Sequence, residues 1–203
     1  MSQASLLKNI AETGYNVGFG GRKHWATYDI VEKGPGFIGF LGTAVGIFAL
    51  VYDSLSAKNI SATMAVIGII GIYISVYDSK KSEYEKSAIE LTKIYNGLRD
   101  LYRKVQSLPA DADFTAYQGE LSGLEARYYN ASISKQILFS DWYAHYKFFW
   151  QYQIDWVDEQ KHFSLVRDKV PLTAWLALAA LLIFAGASFI SRTDTIKACL
   201  GIV

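Results

Sequence analysis

The chain has 203 residues, 51% of them hydrophobic and 19% charged, with 20 Lys and Arg against 19 Asp and Glu and a formal net charge of +1. That near-neutral balance excludes a nucleic-acid binder held by bulk charge. The charges are also unevenly placed: none falls in Gly34–Tyr52, Asn59–Tyr77 or Val170–Ser191. As helices these windows would reach about 28, 28 and 33 Å, against a hydrocarbon layer of about 30 Å.

In chain order, residues 1–33 read as a cytoplasmic amphipathic segment. Its Gly18-Phe19-Gly20-Gly21-Arg22-Lys23-His24 run lacks the ending of a phosphate-binding loop and reads as a flexible joint with solvated charges. Thirty-three polar and mixed residues precede the first window, so no secretory signal is expected. Residues 34–77 read as a transmembrane hairpin, because the loop Asp53–Lys58 can join only antiparallel helices. A lone apolar run of this length is stable in lipid only as a helix. Arg22, Lys23, Lys33, Lys80, Lys81 and Lys86 flank its open end, which the positive-inside tendency places in the cytoplasm.

Gly36, Gly39, Gly42 and Gly46 recur every three or four residues in the first window, as do Gly68 and Gly71 in the second. Such spacing strips a helix face and lets backbones approach in lipid. Two readings follow: packing inside the hairpin, or a seam between subunits or along a pore wall, with Gly39, Gly42, Gly46, Gly68 and Gly71 as the close-packing residues. Val51-Tyr52-Asp53-Ser54 recurs as Val76-Tyr77-Asp78-Ser79. The tyrosines suit interface anchors, and Asp53 and Asp78, repeated around an oligomer, would place carboxylates at two pore mouths.

Residues 78–169 read as a cytoplasmic helical stalk. Tyr84, Ala88, Leu91, Tyr95, Leu98, Tyr102 and Val105 alternate gaps of four and three, a heptad seam in which Leu91, Tyr95, Leu98 and Tyr102 are expected to carry stalk assembly. After a break at Pro109–Asp113 a shorter helix follows, and a third helical stretch from about Ser132 to Asp168 would climb back to the membrane. Ten aromatics lie between Phe139 and Phe163. Three uses fit them: packing shared between the stalk core and a neighbouring subunit, a helix lying flat on the inner leaflet, or a ligand pocket. Residues 170–191 read as a third transmembrane helix and 192–203 as a short tail, with Arg192, Lys197 and Cys199, on the outer side.

Catalytic chemistry finds no footing. His24, His145 and His162 are isolated, Cys199 is the only cysteine, and no nucleophile elbow is present, so neither an enzyme nor a metal or cofactor site is expected. The windows contain no carboxylate, histidine or lysine on which a membrane-embedded enzyme could be built. The fold class expected is thus an all-α membrane protein, and a non-conducting anchor or scaffold for a cytoplasmic partner is the alternative to an oligomeric pore.

Tyr15-Asn16-Val17-Gly18-Phe19-Gly20 with Lys23-His24, the glycine-rich hairpin, and a following helix opening Lys80-Lys81-Ser82-Glu83-Tyr84 together resemble the SLATT family over about residues 5–108. The third window departs from that family's usual two spans. The resemblance implies a bacterial inner-membrane effector of antiphage conflict systems. Such an effector forms a pore or disrupts the membrane when released, causing depolarisation, arrest or death; because a single hairpin has too few helices to enclose water, a homo-oligomer is expected. The partners it implies are a nucleotidyltransferase, a reverse transcriptase or a nucleotide second messenger.

Overall fold

Long amphipathic and apolar stretches dominate the sequence, and the computed structural model renders them as seven helices with no strand among the described residues. The backbone is described for residues 1–200 and the side chains for residues 1–187. The helices are α1 Gln3–Ala49, α2 Lys58–Ser75, α3 Lys81–Gln106, α4 Thr115–Ala131, α5 Ser140–Phe149, α6 Asp155–Lys161 and α7 Leu172–Leu200. Residues 1–162 form one unit, and the chain from Phe163 onward forms a second.

α1 is the spine of the first unit. The side chain of Ser2 caps it by accepting from the Ser5 amide at 3.3 Å, and the helix then runs 47 residues, about 70 Å. The expected boundary at residue 33 is therefore not a break. Pro35 removes the hydrogen bond that the Val31 carbonyl would otherwise receive, yet helix continues on both sides of it.

α3 lies antiparallel along the first two thirds of α1. At one end the Gln3 amide donates to the carbonyls of Val105 and Leu108 at 2.9 and 2.8 Å. At the other, Lys81 meets Glu32 at 2.6 Å. Between them Leu6, Ile10 and Val17 of α1 and Leu91, Ile94, Leu98, Leu101 and Val105 of α3 are wholly buried. α4 closes a third side through Thr13–Glu125 at 2.8 Å and Glu90–Arg127 at 2.6 Å.

The stretch from Ser132 to Asp168 is not one long helix, and this corrects the stalk expected from the sequence. A loop over residues 132–139 leads to α5, a break over 150–154 leads to α6, and Phe139 and His162 take left-handed backbone conformations with φ of 66° and 49°. The loop holds because α1 and α3 satisfy it: the Tyr84 hydroxyl donates to the Lys135 carbonyl at 2.5 Å, Ser87 donates to the Ala131 carbonyl, and Thr27 donates to Gln136 at 2.6 Å. α5 and α6 then fold back across α1. Phe148, Trp156 and Tyr152 join Tyr15, Phe19, Tyr95 and Tyr102 in an aromatic core, with Trp156 5.3 Å from Tyr95 and 5.4 Å from Tyr102 between ring centroids. Arg22 lays its guanidinium over the Tyr152 ring at 3.8 Å.

The glycine-rich run near residue 18 is not a joint either. A Cβ at Gly14 would lie 2.2 Å from the Trp156 ring, and one at Gly18 would lie 2.7 Å from Tyr95 and 2.8 Å from Phe148. Glycine here admits a ring against bare helix. Gly18→Ala should therefore destabilise the bundle by roughly 1–3 kcal/mol through overpacking, read as a lowered thermal midpoint of near-UV circular dichroism in detergent. Unchanged ring packing in that variant would contradict the geometry.

In the second unit, Ser164 accepts from the Arg167 amide at 3.2 Å and starts a single π-type turn, Leu165–Lys169. Pro171 precedes α7, and the Trp175 indole donates to the Val166 carbonyl at 3.1 Å. The part of α7 described with side chains, Leu172–Ala187, is a short apolar helix. The expected placement of Arg192, Lys197 and Cys199 lies outside the described residues.

Candidate functional site: an apolar hairpin above a polar collar

Beyond residue 33 the character of the molecule changes. α1 continues as an apolar rod from Gly34 to Ala49, about 24 Å, and a 3-10 turn at Asp53–Ser56 reverses the chain into α2. By length and composition one helix among the described residues can cross a membrane, the continuous helical run that begins at Lys58. The α1 segment falls short because its helix stops at Ala49, before the end of the charge-free window.

The hairpin buries little within the chain. Phe40 is 70% exposed, Ile69 65% and Ile72 68%, whereas the α3 core residues are at zero. Within the hairpin a Cβ at Gly71 would lie 3.5 Å from Ile38, and one at Gly34 would lie 3.1 Å from Ile74. Gly36, Gly39, Gly42, Gly46 and Gly68 have no atom within 4 Å of where a Cβ would stand. So of the five glycines singled out above, Gly71 alone serves the contact between α1 and α2, and the others line open helix faces.

Each copy of the repeated Val-Tyr-Asp-Ser motif leads into a short 3-10 turn, from an extended Tyr52 in the first and a helical Tyr77 in the second. Asp53 opens the 3-10 turn between α1 and α2, and Asp78 opens the one between α2 and α3, so the two carboxylates mark opposite ends of α2. Asp78 lies 3.4 Å from Lys81. The tyrosines differ. Tyr52 is exposed, but Tyr77 is buried with Val31, Ile74, Tyr84 and Ile137 in a small apolar cluster, so it packs a joint and does not anchor a free interface.

The heptad residues are placed differently from their expected use. Leu91, Tyr95, Leu98 and Tyr102 have at most 1% exposure and face α1, α5 and α6 of the same chain. Tyr95 donates to the Gln153 carbonyl at 2.9 Å and Tyr102 to Glu159 at 2.8 Å. The expectation that these four assemble one subunit with another is corrected: the seam closes the chain on itself, because α1 supplies the partner helix.

Beneath the hairpin lies a collar of buried polar groups that sequence reasoning did not single out. Asp29 is bridged by Lys147 at 2.5 Å and Lys33 at 2.8 Å. Burial pushes its carboxyl up, but the two ammonium groups outweigh that and hold it below the ordinary carboxylate range. His24, 4% exposed, places Nδ1 2.7 Å from the Gly20 carbonyl, which can only accept, so Nδ1 carries the proton. Nε2 is then the acceptor for the Ile133 amide at 3.0 Å and lies 3.3 Å from the Gln136 amide. These partners stand 109 and 112 positions along the chain, which is why His24 read as isolated.

Burial, reinforced by Lys23 and opposed by the Gly20 bond, depresses the His24 pKa below 6.5. The unfolded chain therefore takes up the proton first as pH falls, so stability is complete above about pH 6.5 and declines below it until the folded-state value is passed. Protonated Nε2 can no longer accept from Ile133, a loss of roughly 1–3 kcal/mol for a buried unsatisfied donor. The midpoint of thermal unfolding should drop between pH 7 and pH 5, and His24→Gln should flatten the slope. His145, also depressed by burial, supplies what slope remains.

Among the described residues no group of His, Cys, Asp or Glu is arranged to hold a metal ion. The residues are arranged instead as a helical bundle with a polar exterior carrying an apolar hairpin. Residues 1–178 match the family model of the SMODS and SLOG-associating 2TM effector domain 6. The chain belongs to the SLATT family. No curated protein and no solved structure matches it. As a SLATT domain it is a membrane effector of conflict systems, of a family with no known catalytic role, associated with SMODS and SLOG partners. The match takes in the whole bundle, the hairpin and the first residues of α7.

Proposed function

We propose that this SLATT domain is an oligomeric effector of the bacterial inner membrane. On a trigger it opens a pore or disrupts the bilayer, depolarising the cell and causing arrest or death in antiphage defence. Residues 34–77 are its transmembrane hairpin, residues 170–191 a third span, and the N-terminus and residues 78–169 are cytoplasmic. One hairpin has too few helices to enclose water, so conduction requires several copies.

The observation that carries this reading is the contrast within α1. One helix packs a buried face against the bundle over its first two thirds and then presents Gly36, Gly39, Gly42 and Gly46 to open space. Open glycines on a helix that lipid surrounds favour helix-to-helix contact with another copy. Gly39, Gly42, Gly46, Gly68 and Gly71 act as close-packing residues, and Asp53 and Asp78 provide the charge at the two mouths. Because α1 runs unbroken from bundle to hairpin, and Glu32–Lys81 ties it to α3 at the joint, a partner or nucleotide signal acting on the bundle reaches the spans by tilting α1.

The test is controlled expression in a bacterium while a potential-sensitive dye is followed. Rapid collapse, lost on removal of the trigger, supports the pore. A steady potential together with recruitment of a cytoplasmic partner supports a non-conducting anchor and overturns it.

A further inference from the structure

α5 and the loop before it carry a row of large apolar side chains outward. Leu138 is 63% exposed, Phe139 62%, Tyr146 52% and Trp150 63%. Trp142 and Tyr146, four positions apart, share one side of α5, and Phe139 and Trp150 flank them just beyond its two ends. The opposite side, with Ser140, Ala144 and Phe148, is buried against α1. The charged residues of α5 are engaged with the bundle, Asp141 with Lys23 at 2.7 Å and Lys147 with Asp29 at 2.5 Å. The outward row is therefore amphipathic in the sense suited to a bilayer surface.

Its height along the hairpin identifies what covers it. The Leu138 amide lies 3.4 Å from the Tyr73 hydroxyl. Leu138 and Phe139 form one wall of a cleft of about 460 Å³ whose other wall is Ile69, Ile70 and Tyr73 of α2, with Ile30 at its base. Tyr73 and Ile69 stand about 7 and 14 Å above Asp78 along the α2 axis. Whatever surrounds Ile69 and Ile70 must also surround Leu138 and Phe139, because they line the same cleft. Phe139 holds its left-handed backbone at the top of this loop, directing the chain from the collar into α5.

We propose that the tip Ile137–Phe139 and the outward side of α5 lie within the cytoplasmic leaflet, with lipid acyl chains filling the cleft beside α2. This rests on reading the hairpin as membrane-spanning. The arrangement makes α5 an in-plane brace. Its aromatic row meets the headgroup and upper acyl region, where tryptophan and tyrosine are favoured, and its inner side transmits lateral movement of the leaflet directly to α1.

The experiment uses the full chain with Cys199→Ser, reconstituted in vesicles of phosphatidylethanolamine and phosphatidylglycerol. Nitroxide labels are introduced one at a time at Leu138→Cys, Tyr146→Cys, Val66→Cys and Tyr129→Cys, all exposed positions. Collisions with oxygen, which partitions into lipid, are compared with collisions with a water-soluble nickel chelate. The expected result is an oxygen-to-nickel ratio at Leu138 and Tyr146 severalfold above that at Tyr129 on α4, with Val66 on α2 also high. A low ratio at Leu138 beside a high one at Val66 would overturn the proposal and leave the hairpin standing. Shielding of Leu138 from both reagents would mean that protein, such as a second copy of the chain, covers the tip, and would also overturn it. A low ratio at Val66 would remove the hairpin reading and the proposal together.

Discussion

Truncating Leu98 to alanine is expected to destabilise the isolated subunit by roughly 2–5 kcal/mol, the range for emptying a buried leucine site. The drop in unfolding midpoint from parent to variant should not depend on protein concentration. Both halves of that statement come from where Leu98 lies. It has no exposed surface, and the layers on either side are Leu91, Ile94, Leu101 and Val105 on α3 with Leu6, Ile10 and Val17 on α1, all equally buried. Such neighbours are held by helix contacts along their whole length, so they relax little into the cavity and the cost falls toward the upper part of the range. A heptad that joined separate subunits would behave differently: by mass action, dilution would lower the midpoint of the parent and enlarge the effect of truncation. Thermal unfolding of parent and variant in detergent at two well-separated protein concentrations checks this, and a difference between them that grows on dilution would return the seam to an intersubunit role.

The heptad at residues 84–105 was legible because alternating gaps of four and three record one helix face, and burial confirms that face residue by residue. Which helix covers it was not legible, because a periodic stripe has no address. α1 was the partner, and its own signal was blurred by glycines, which composition alone reads as a joint. Gly14 and Gly18 are there because Trp156, Tyr95 and Phe148 press against bare backbone, and those contacts reach across 77 to 142 positions. Glycine reports only that a side chain is absent. Whether the absence gives freedom or closeness is decided by a distant residue.

The region from residue 132 to 168 reads as one helix for a related reason. It contains neither Gly nor Pro to end a helix. It is broken by tertiary satisfaction: the 132–139 loop gives up helical hydrogen bonds and receives His24, Thr27 and Tyr84 as partners, while Ser87 holds the Ala131 carbonyl where α4 ends. Phe139 takes φ above zero at the N-cap of α5, and His162 does so at the C-cap of α6, where its amide donates to the Asp158 carbonyl. The same folding-back explains the ten aromatics. On a straight vertical helix Phe139 would lie far from the bilayer, but in the folded chain it stands beside Ile69 and Ile70 of α2. The cluster thus divides into a core share, with Phe148, Phe149 and Trp156, and an outward share with Phe139, Tyr146 and Trp150.

Replacing Gly42 and Gly46 together by leucine should abolish depolarisation while leaving insertion and folding intact. Within one chain neither position has an atom within 4 Å of where a Cβ would stand, so two leucines meet no resistance there. Leucine is also the better helix former, by several tenths of a kcal/mol or more per site. The subunit itself should then be no less stable than the parent. The cost arises only if another helix must approach that face, since two leucines would hold the backbones apart where glycine lets them touch. Gly71→Leu is the internal contrast, because its Cβ would already stand 3.5 Å from Ile38 and the atoms beyond it would disturb the hairpin's own contact. Membrane fractionation and near-UV circular dichroism establish that the double variant is inserted and folded, and the potential-sensitive dye then reads conduction. A full collapse of potential in a correctly inserted Gly42→Leu/Gly46→Leu protein would show that copies meet elsewhere, because no close helix contact could survive two leucines on one face a single turn apart.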